Sequence, residues 1–72
     1  MKRFTKRFAK KLLRIFEDKN FMAQDIEGYV YLYGFKPDLE VDCFEEDPFD
    51  YIFIVRKMKE YRKGWRKSLI VI

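Results

Sequence analysis

The spacing of apolar residues at the start of the chain predicts an amphipathic helix. Between Lys2 and Asp18 the apolar residues recur with a period close to 3.6, and they cover about half of the helix circumference. Asn20 suits the left-handed position that often follows a helix, so we expect the helix to end near Lys19. The other half of the circumference is basic, at Arg3, Lys6, Arg7, Lys10, Lys11 and Arg14.

Alternation of side chains from residue 28 to residue 35 predicts a strand with two apolar faces. Val30 and Leu32 would lie on one face of it. The residues between this strand and the helix, 21–27, fit either a further helical turn or an extension of the strand. The second face would carry Tyr29, Tyr31, Tyr33 and Phe35.

The remaining pattern predicts three more strands. A turn at Pro37 leads into an alternating strand, Leu39–Phe44, which ends at the acidic run before Pro48. The apolar run Phe49–Val55 suits a central strand, although its charged continuation also fits helical spacing. We expect Gly64 to take a left-handed conformation in a short loop before a last strand from residue 65 to residue 72.

These elements predict one α+β domain over residues 1–72, with an N-terminal amphipathic helix packed on a four-stranded antiparallel β-meander. The helix would cover one face of the sheet. If the tyrosine row points away from the helix, it forms an exposed aromatic patch of the kind that marks binding surfaces. The alternative is that the tyrosines are core residues with their hydroxyl groups at the rim.

The charges fall into three blocks along the chain. Residues 1–19 have a net charge of +6, residues 20–50 of −8 and residues 51–72 of +6, which sum to the overall +4. Opposite local fields of this size indicate binding surfaces, unless folding brings the unlike blocks together and they neutralise each other. The basic groups at the start of the helix also oppose its dipole, which costs roughly 0.3–1 kcal/mol per group where screening is weak. Helix stability alone would therefore not select this pattern.

The composition argues against an enzyme. The chain has no His, one Ser, one Thr and one Cys, so nucleophile-and-base catalysis lacks its usual residues. A ribonuclease that works through Lys, Arg, Tyr and carboxylates remains an alternative. We expect no metal, because a calcium-loop spacing at residues 38–42 has Cys43 in place of the required Gly. We expect no cofactor, because no glycine belongs to a phosphate-binding motif. A lone Cys and the lack of a long apolar run predict a cytoplasmic protein with membrane attachment unlikely.

The first functional hypothesis is a regulator or inhibitor that binds a protein with a basic surface. Alternate acidic residues on a strand are about 6.6 Å apart and would imitate a nucleic-acid backbone. Tiny virus-encoded inhibitors of host defence nucleases offer an analogy of size and charge only. The expected contact residues are Asp38, Glu40, Asp42, Glu45, Glu46, Asp47 and Asp50, with Tyr29, Tyr31 and Tyr33.

The second hypothesis is a nucleic-acid-binding protein without sequence preference, because cations interleaved with aromatic rings suit phosphate contact and base stacking. A third is attachment to anionic membrane through the helix, although its Phe-rich face is needed to cover the sheet. An apolar last strand at a sheet edge also leaves homodimerisation open. The nucleic-acid hypothesis involves Lys6, Arg7, Lys10, Lys11, Arg14, Arg56, Lys57, Lys59, Arg62, Lys63, Trp65, Arg66 and Lys67.

Overall fold

The structure, a computed structural model, describes residues 1–45 and 53–71. Helix α1 spans Lys6–Ile15, so it is shorter than the spacing predicts. Thr5 caps it, because the Thr5 hydroxyl oxygen accepts a hydrogen bond of 3.1 Å from the Phe8 amide. Asn20 is not the left-handed residue that the sequence predicted after the helix, because no described residue other than glycine has a positive φ.

The residues before α1 are extended because they pair with a distant segment. The Phe4 amide donates to the Lys59 carbonyl at 3.0 Å, and the Lys59 amide donates to the Lys2 carbonyl at 2.8 Å. This bridge around Arg3 is parallel, and Phe4 is fully buried. Tertiary hydrogen bonds and burial thus replace the first helical turn. We call residues 2–4 the N-terminal arm.

The predicted helix and four-stranded antiparallel sheet are confirmed. The sheet has the order β5-β2-β1-β6, and strands β3 and β4 form a separate antiparallel pair. Within the sheet, Met22 pairs with both Leu32 and Ile70. The strands are β1 Phe21–Gln24, β2 Tyr29–Tyr33, β3 Asp38–Leu39, β4 Phe44–Glu45, β5 Phe53–Lys57 and β6 Ile70–Val71.

The arrangement of the elements differs from the predicted meander in four respects. Residues 21–27, which fitted two alternatives, supply β1 inside the sheet. The predicted strand Leu39–Phe44 instead folds back on itself, and the Glu40 amide donates to the Cys43 carbonyl at 2.8 Å across the loop. Gly64 has the predicted positive φ, but a short 3-10 helix, Trp65–Lys67, follows it. The strand predicted to be central is wrong in its position, because β5 lies at the edge of the described sheet; residues 49–52 of that prediction lie outside the described residues.

The sheet has an apolar core on each face, which explains the two apolar faces predicted for β2. On one face, Ala9 and Leu13 of α1 pack with Val30 and Leu32 of β2. On the other face, Tyr33 of β2 belongs to a second cluster. The second cluster also contains Ala23, Phe44 and Trp65, so the β3–β4 hairpin and the 3-10 helix cover the face opposite α1.

Candidate binding surfaces

The outward side of α1 carries five cations and no acidic residue. They are exposed, apart from the half-buried Lys10. Across residues 1–45 and 53–71, the single ion pair joins Lys19 to Asp18 at 3.7 Å. The positive end of the helix dipole adds to the field of the first turn. We call this surface, which has no acidic partner among the described residues, the basic helix face; it is formed by Lys6, Arg7, Lys10, Lys11 and Arg14.

A groove of about 420 Å³ lies between α1 and the N-terminal arm. Its apolar side chains are Phe8 and Met58. The Phe8 ring is half-buried and packs edge-on against Phe4, with ring centroids 6.3 Å apart. We call this the N-terminal groove; its other lining residues are Lys2, Arg3, Thr5, Arg7 and Lys11.

Buried polar contacts fix the segment from Met58 to Tyr61, which holds the arm in place. The Gln24 side-chain amide donates to the Met58 carbonyl at 3.0 Å, and its Oε1 accepts from the Tyr61 amide at 2.8 Å. The Arg3 guanidinium in turn donates to the Glu60 carbonyl at 2.7 Å. Because Gln24 is buried, these bonds are protected from water, and the groove wall is held by the sheet.

A second groove, of about 310 Å³, borders the other side of α1. Lys6 and Lys10 line it from the helix, and Tyr61 is among its other lining residues. Tyr61 is half-buried, with its ring 5.8 Å from that of Phe4. The basic helix face is therefore flanked on both sides by a cleft that contains an aromatic ring.

The cations that the sequence suggested for nucleic-acid binding after residue 55 differ in their contacts. The Arg66 guanidinium lies 5.2 Å from the Trp65 ring centroid and donates to the Val41 carbonyl at 3.2 Å, on the hairpin side of the sheet. The Lys57 ammonium lies 5.6 Å from the Tyr29 ring centroid. The exposed cations Arg56, Lys59, Arg62, Lys63 and Lys67 belong to β5 and the segments that follow it.

Trp65 does not provide the stacking surface that the sequence suggested. It is 6% exposed, and its ring packs edge-on against Phe44 with centroids 6.1 Å apart. Arg66 lies against the same indole. A nucleic-acid base therefore has no open face of Trp65 on which to stack, and this part of the expectation is corrected.

The acidic residues Asp38, Glu40 and Asp42 do not form a row on one strand. All three are exposed, but only Asp38 is in a strand, and the chain reverses through the loop that contains the other two. The Ile26 amide donates to the Asp42 carbonyl at 3.0 Å and ties this loop to the β1–β2 turn. Glu45 is in β4, and the candidates Glu46, Asp47 and Asp50 lie outside the described residues.

The β3–β4 hairpin exposes apolar as well as acidic side chains. Val41 is 83% exposed and Leu39 is 47% exposed. Both lie between exposed carboxylates in the sequence. The surface formed by residues 38–42, which we call the acidic hairpin loop, is therefore mixed rather than a continuous imitation of a phosphate backbone.

The tyrosines of β2 do not form an exposed patch, because the exposed fraction of the side chain falls from Tyr29 to Tyr33. Tyr33 is 2% exposed, and its hydroxyl donates to the Phe44 carbonyl at 3.2 Å. Tyr31 is half-buried and donates to Asp25 Oδ2 at 3.1 Å. Burial, followed by this hydrogen bond, raises the pKa of Tyr31 to about 12. Of the three, Tyr29 alone is exposed, so the core interpretation holds for most of the row.

The basic helix face and the acidic hairpin loop belong to layers on opposite sides of the sheet. α1 packs on the cluster that contains Val30 and Leu32, whereas Phe44 of the hairpin packs on the cluster that contains Tyr33. Successive residues of β2 point to opposite faces, so one strand separates the two layers. The opposite charges are therefore kept apart instead of neutralising each other within the described residues.

The candidate surfaces include residues that the sequence did not single out. Lys2, Phe8 and Met58 line the N-terminal groove. The only signal for Phe8 is its place at the border between the apolar and basic halves of α1. Met58 gives no signal, because its place depends on the pairing between the arm and Lys59.

The described residues contain no cluster of side chains suited to hold a metal ion, and no described helix has the length and apolarity to cross a membrane. No protein-family model, curated protein or solved structure matches the chain.

Proposed function

We propose that this protein is a non-enzymatic binding protein that holds nucleic acid through the basic helix face without reading its sequence. The observation that carries the proposal is the row of five helix cations without a carboxylate partner among the described residues. Phosphates would neutralise this row and relieve the repulsion between like charges three and four positions apart.

The location of the cations supports nucleic acid over a membrane surface. The apolar side of α1 is occupied, because Ala9 and Leu13 are buried against the sheet. Insertion of that side into a bilayer would expose the core. Nucleic acid requires only the outer side, together with Lys2 and Arg3 at the edge of the N-terminal groove.

The test is fluorescence anisotropy with labelled oligonucleotides in low and moderate salt. We expect affinity to fall steeply as salt increases, since bound cations release counterions from the phosphates. Arg7→Gln with Lys10→Gln should reduce the slope of log affinity against log salt by about 2, or roughly 1 per phosphate contact.

The matched control is Lys57→Gln with Arg66→Gln, which removes the same charge from side chains that contact Tyr29 and Trp65. It should leave the salt slope nearly unchanged. Failure to bind any oligonucleotide at low salt would overturn the proposal. So would equal losses from the two double variants, because the helix face would then have no special role.

A second candidate function, contact with a basic protein partner as a regulator or inhibitor, is favoured by the acidic hairpin loop. Exposed Val41 and Leu39 amid carboxylates combine an apolar contact with charge complementarity. The test is to identify proteins retained from cell extract by the wild type and by the Arg7→Gln, Lys10→Gln variant but lost with Val41→Ser, Asp42→Asn. An unchanged set of partners would count against this surface.

A further inference from the structure

We propose that the N-terminal groove takes an unpaired nucleotide, so that the protein prefers single-stranded to double-stranded nucleic acid. This inference rests on the proposed function and specifies the form of its ligand. The groove would receive one base on its apolar floor, while cations at its edges contact the flanking phosphates.

The chemical composition of the groove matches the two parts of a nucleotide. Phe8 supplies the half-buried ring against which a base would lie, Met58 is buried beneath the groove, and four cations line its edges. Lys2 and Arg3 stand on the arm, whereas Arg7 and Lys11 stand on successive turns of α1, about 6 Å apart along the axis. A strand that runs between arm and helix would meet positive charge on both sides.

The groove is organised before any ligand binds. The arm is fixed by two backbone hydrogen bonds to Lys59, of 3.0 and 2.8 Å. Arg3 is fixed by its bond to the Glu60 carbonyl, and the Phe8 ring is oriented by the edge-on contact with Phe4. Binding would therefore cost little ordering of the walls, which favours affinity.

The apolar floor discriminates between the two forms of nucleic acid. In a duplex the base faces stack on one another, so only phosphates can reach the cations. In a single strand a base is free to lie against an aromatic ring, a contact worth roughly 1–3 kcal/mol per base. The lower limit corresponds to about a five-fold gain in affinity.

The decisive comparison uses three labelled ligands of equal length: an oligothymidylate, an abasic oligomer with the same phosphates, and a duplex. We expect oligothymidylate to bind at least about five-fold more tightly than the abasic oligomer. Phe8→Leu, which keeps an apolar side chain over Phe4, should abolish that difference while leaving binding of the abasic oligomer and the duplex unchanged. Tyr29→Leu, at an exposed ring on the opposite face, is the matched control.

The possible outcomes separate this inference from the proposed function. Equal affinity for oligothymidylate and the abasic oligomer would overturn the base site but retain nucleic-acid binding through phosphates. Failure of all three to bind would overturn the proposed function itself. A last experiment is flotation with anionic vesicles. If the protein binds the vesicles, loses this binding in Phe8→Leu and shows no preference for oligothymidylate, the groove binds lipid and the inference is overturned. Thermal unfolding of each variant verifies that it is folded.

Discussion

At the scale of single residues, the glycine before β2 allows a close approach between two segments of the molecule. Gly28 has a φ of +95°, and its carbonyl accepts a hydrogen bond of 2.9 Å from the Met58 amide. A Cβ atom on Gly28 would lie 2.8 Å from the Met58 carbonyl oxygen. This position therefore brings Met58 and Lys59 to the place where they meet the N-terminal arm.

We predict that Gly28→Ala is more destabilising than Gly64→Ala. The two glycines have almost the same φ, +95° and +96°, so both substitutions incur the strain of a side chain at positive φ. Only Gly28 adds a backbone clash, because a Cβ on Gly64 would have its nearest neighbour 3.9 Å away, at Glu60 Oε2. We expect Gly28→Ala to lower the free energy of unfolding by about 2–4 kcal/mol and Gly64→Ala by about 1–2 kcal/mol.

Denaturant unfolding at one temperature provides the comparison of the two glycines. Equal losses would mean that the approach to Met58 relaxes without cost.

Tyr31 predicts a stability change at alkaline pH. Its pKa rises from 10.0 to about 12 in the folded protein, so the folded state retains a proton that the unfolded state releases. The contribution of Tyr31 to stability is complete below about pH 10 and is lost as pH rises from about 10 to about 12. In Tyr31→Phe this part of the pH dependence should be absent.

The test compares the free energy of unfolding of wild type and Tyr31→Phe at about pH 9 and about pH 11. The free energy of unfolding of the wild type, relative to that of Tyr31→Phe, should be lower at the higher pH. A difference that stays constant would show that the Tyr31 hydroxyl does not titrate differently in the folded and unfolded states.

At the scale of elements, the helix could be predicted from the sequence but its ends could not. Periodicity over many residues identifies an amphipathic helix, because the pattern is local. The first turn is lost to pairing with Lys59, which is 56 residues from Arg3 in the chain, and no local signal encodes that contact. Thr5 is the residue that marks the true start, through its hydrogen bond to the Phe8 amide.

The sheet shows the same division between local pattern and distant pairing. Alternation identified β2, but the equally clear alternation at residues 39–44 became a hairpin. Its loop, Glu40 to Cys43, lacks Gly or Asn, which are the usual signals of a tight turn. β1 has four residues, too few for a period, although it joins the middle of the sheet. Charge blocks were visible in the sequence, whereas the grooves that give them shape depend on these long-range contacts.

The first turn of α1 predicts a conflict between stability and binding. Lys6 lies at the positive end of the helix dipole, and the first turn contains no acidic residue. Lys6→Glu should therefore raise the free energy of unfolding by about 0.3–1 kcal/mol and gain a favourable pair with Lys10. The same substitution should weaken nucleic-acid binding.

Arg62→Glu is the control for charge, because Arg62 is exposed in a turn outside α1. Its effect on stability should be within about 0.5 kcal/mol of zero. Stability is measured by denaturant unfolding and affinity by anisotropy. If Lys6→Glu lowered stability, the dipole argument for α1 would be wrong.

At the scale of the whole molecule, the sheet acts as a spacer between two fields of opposite sign. The Cα extents are 28 × 27 × 17 Å, and the basic helix face and the acidic hairpin loop belong to opposite layers. The Debye length is about 8 Å at physiological ionic strength and about 30 Å at 0.01 M salt. The two fields should therefore act independently in the first condition and oppose each other in the second.

This separation predicts how the acidic hairpin loop affects nucleic-acid binding. Asp38→Asn, Glu40→Gln and Asp42→Asn together remove three negative charges that are exposed to solvent. At about 0.15 M salt the triple variant should bind an oligonucleotide within about two-fold of the wild type, because screening hides the loop from the helix face. At about 0.01 M salt it should bind several-fold more tightly, since the phosphates then sense the lost repulsion. Anisotropy titrations at both salt concentrations measure the effect, with Asn20→Ala as an uncharged surface control. A large gain at both concentrations would contradict the separation, because it would place the carboxylates within contact range of the bound strand.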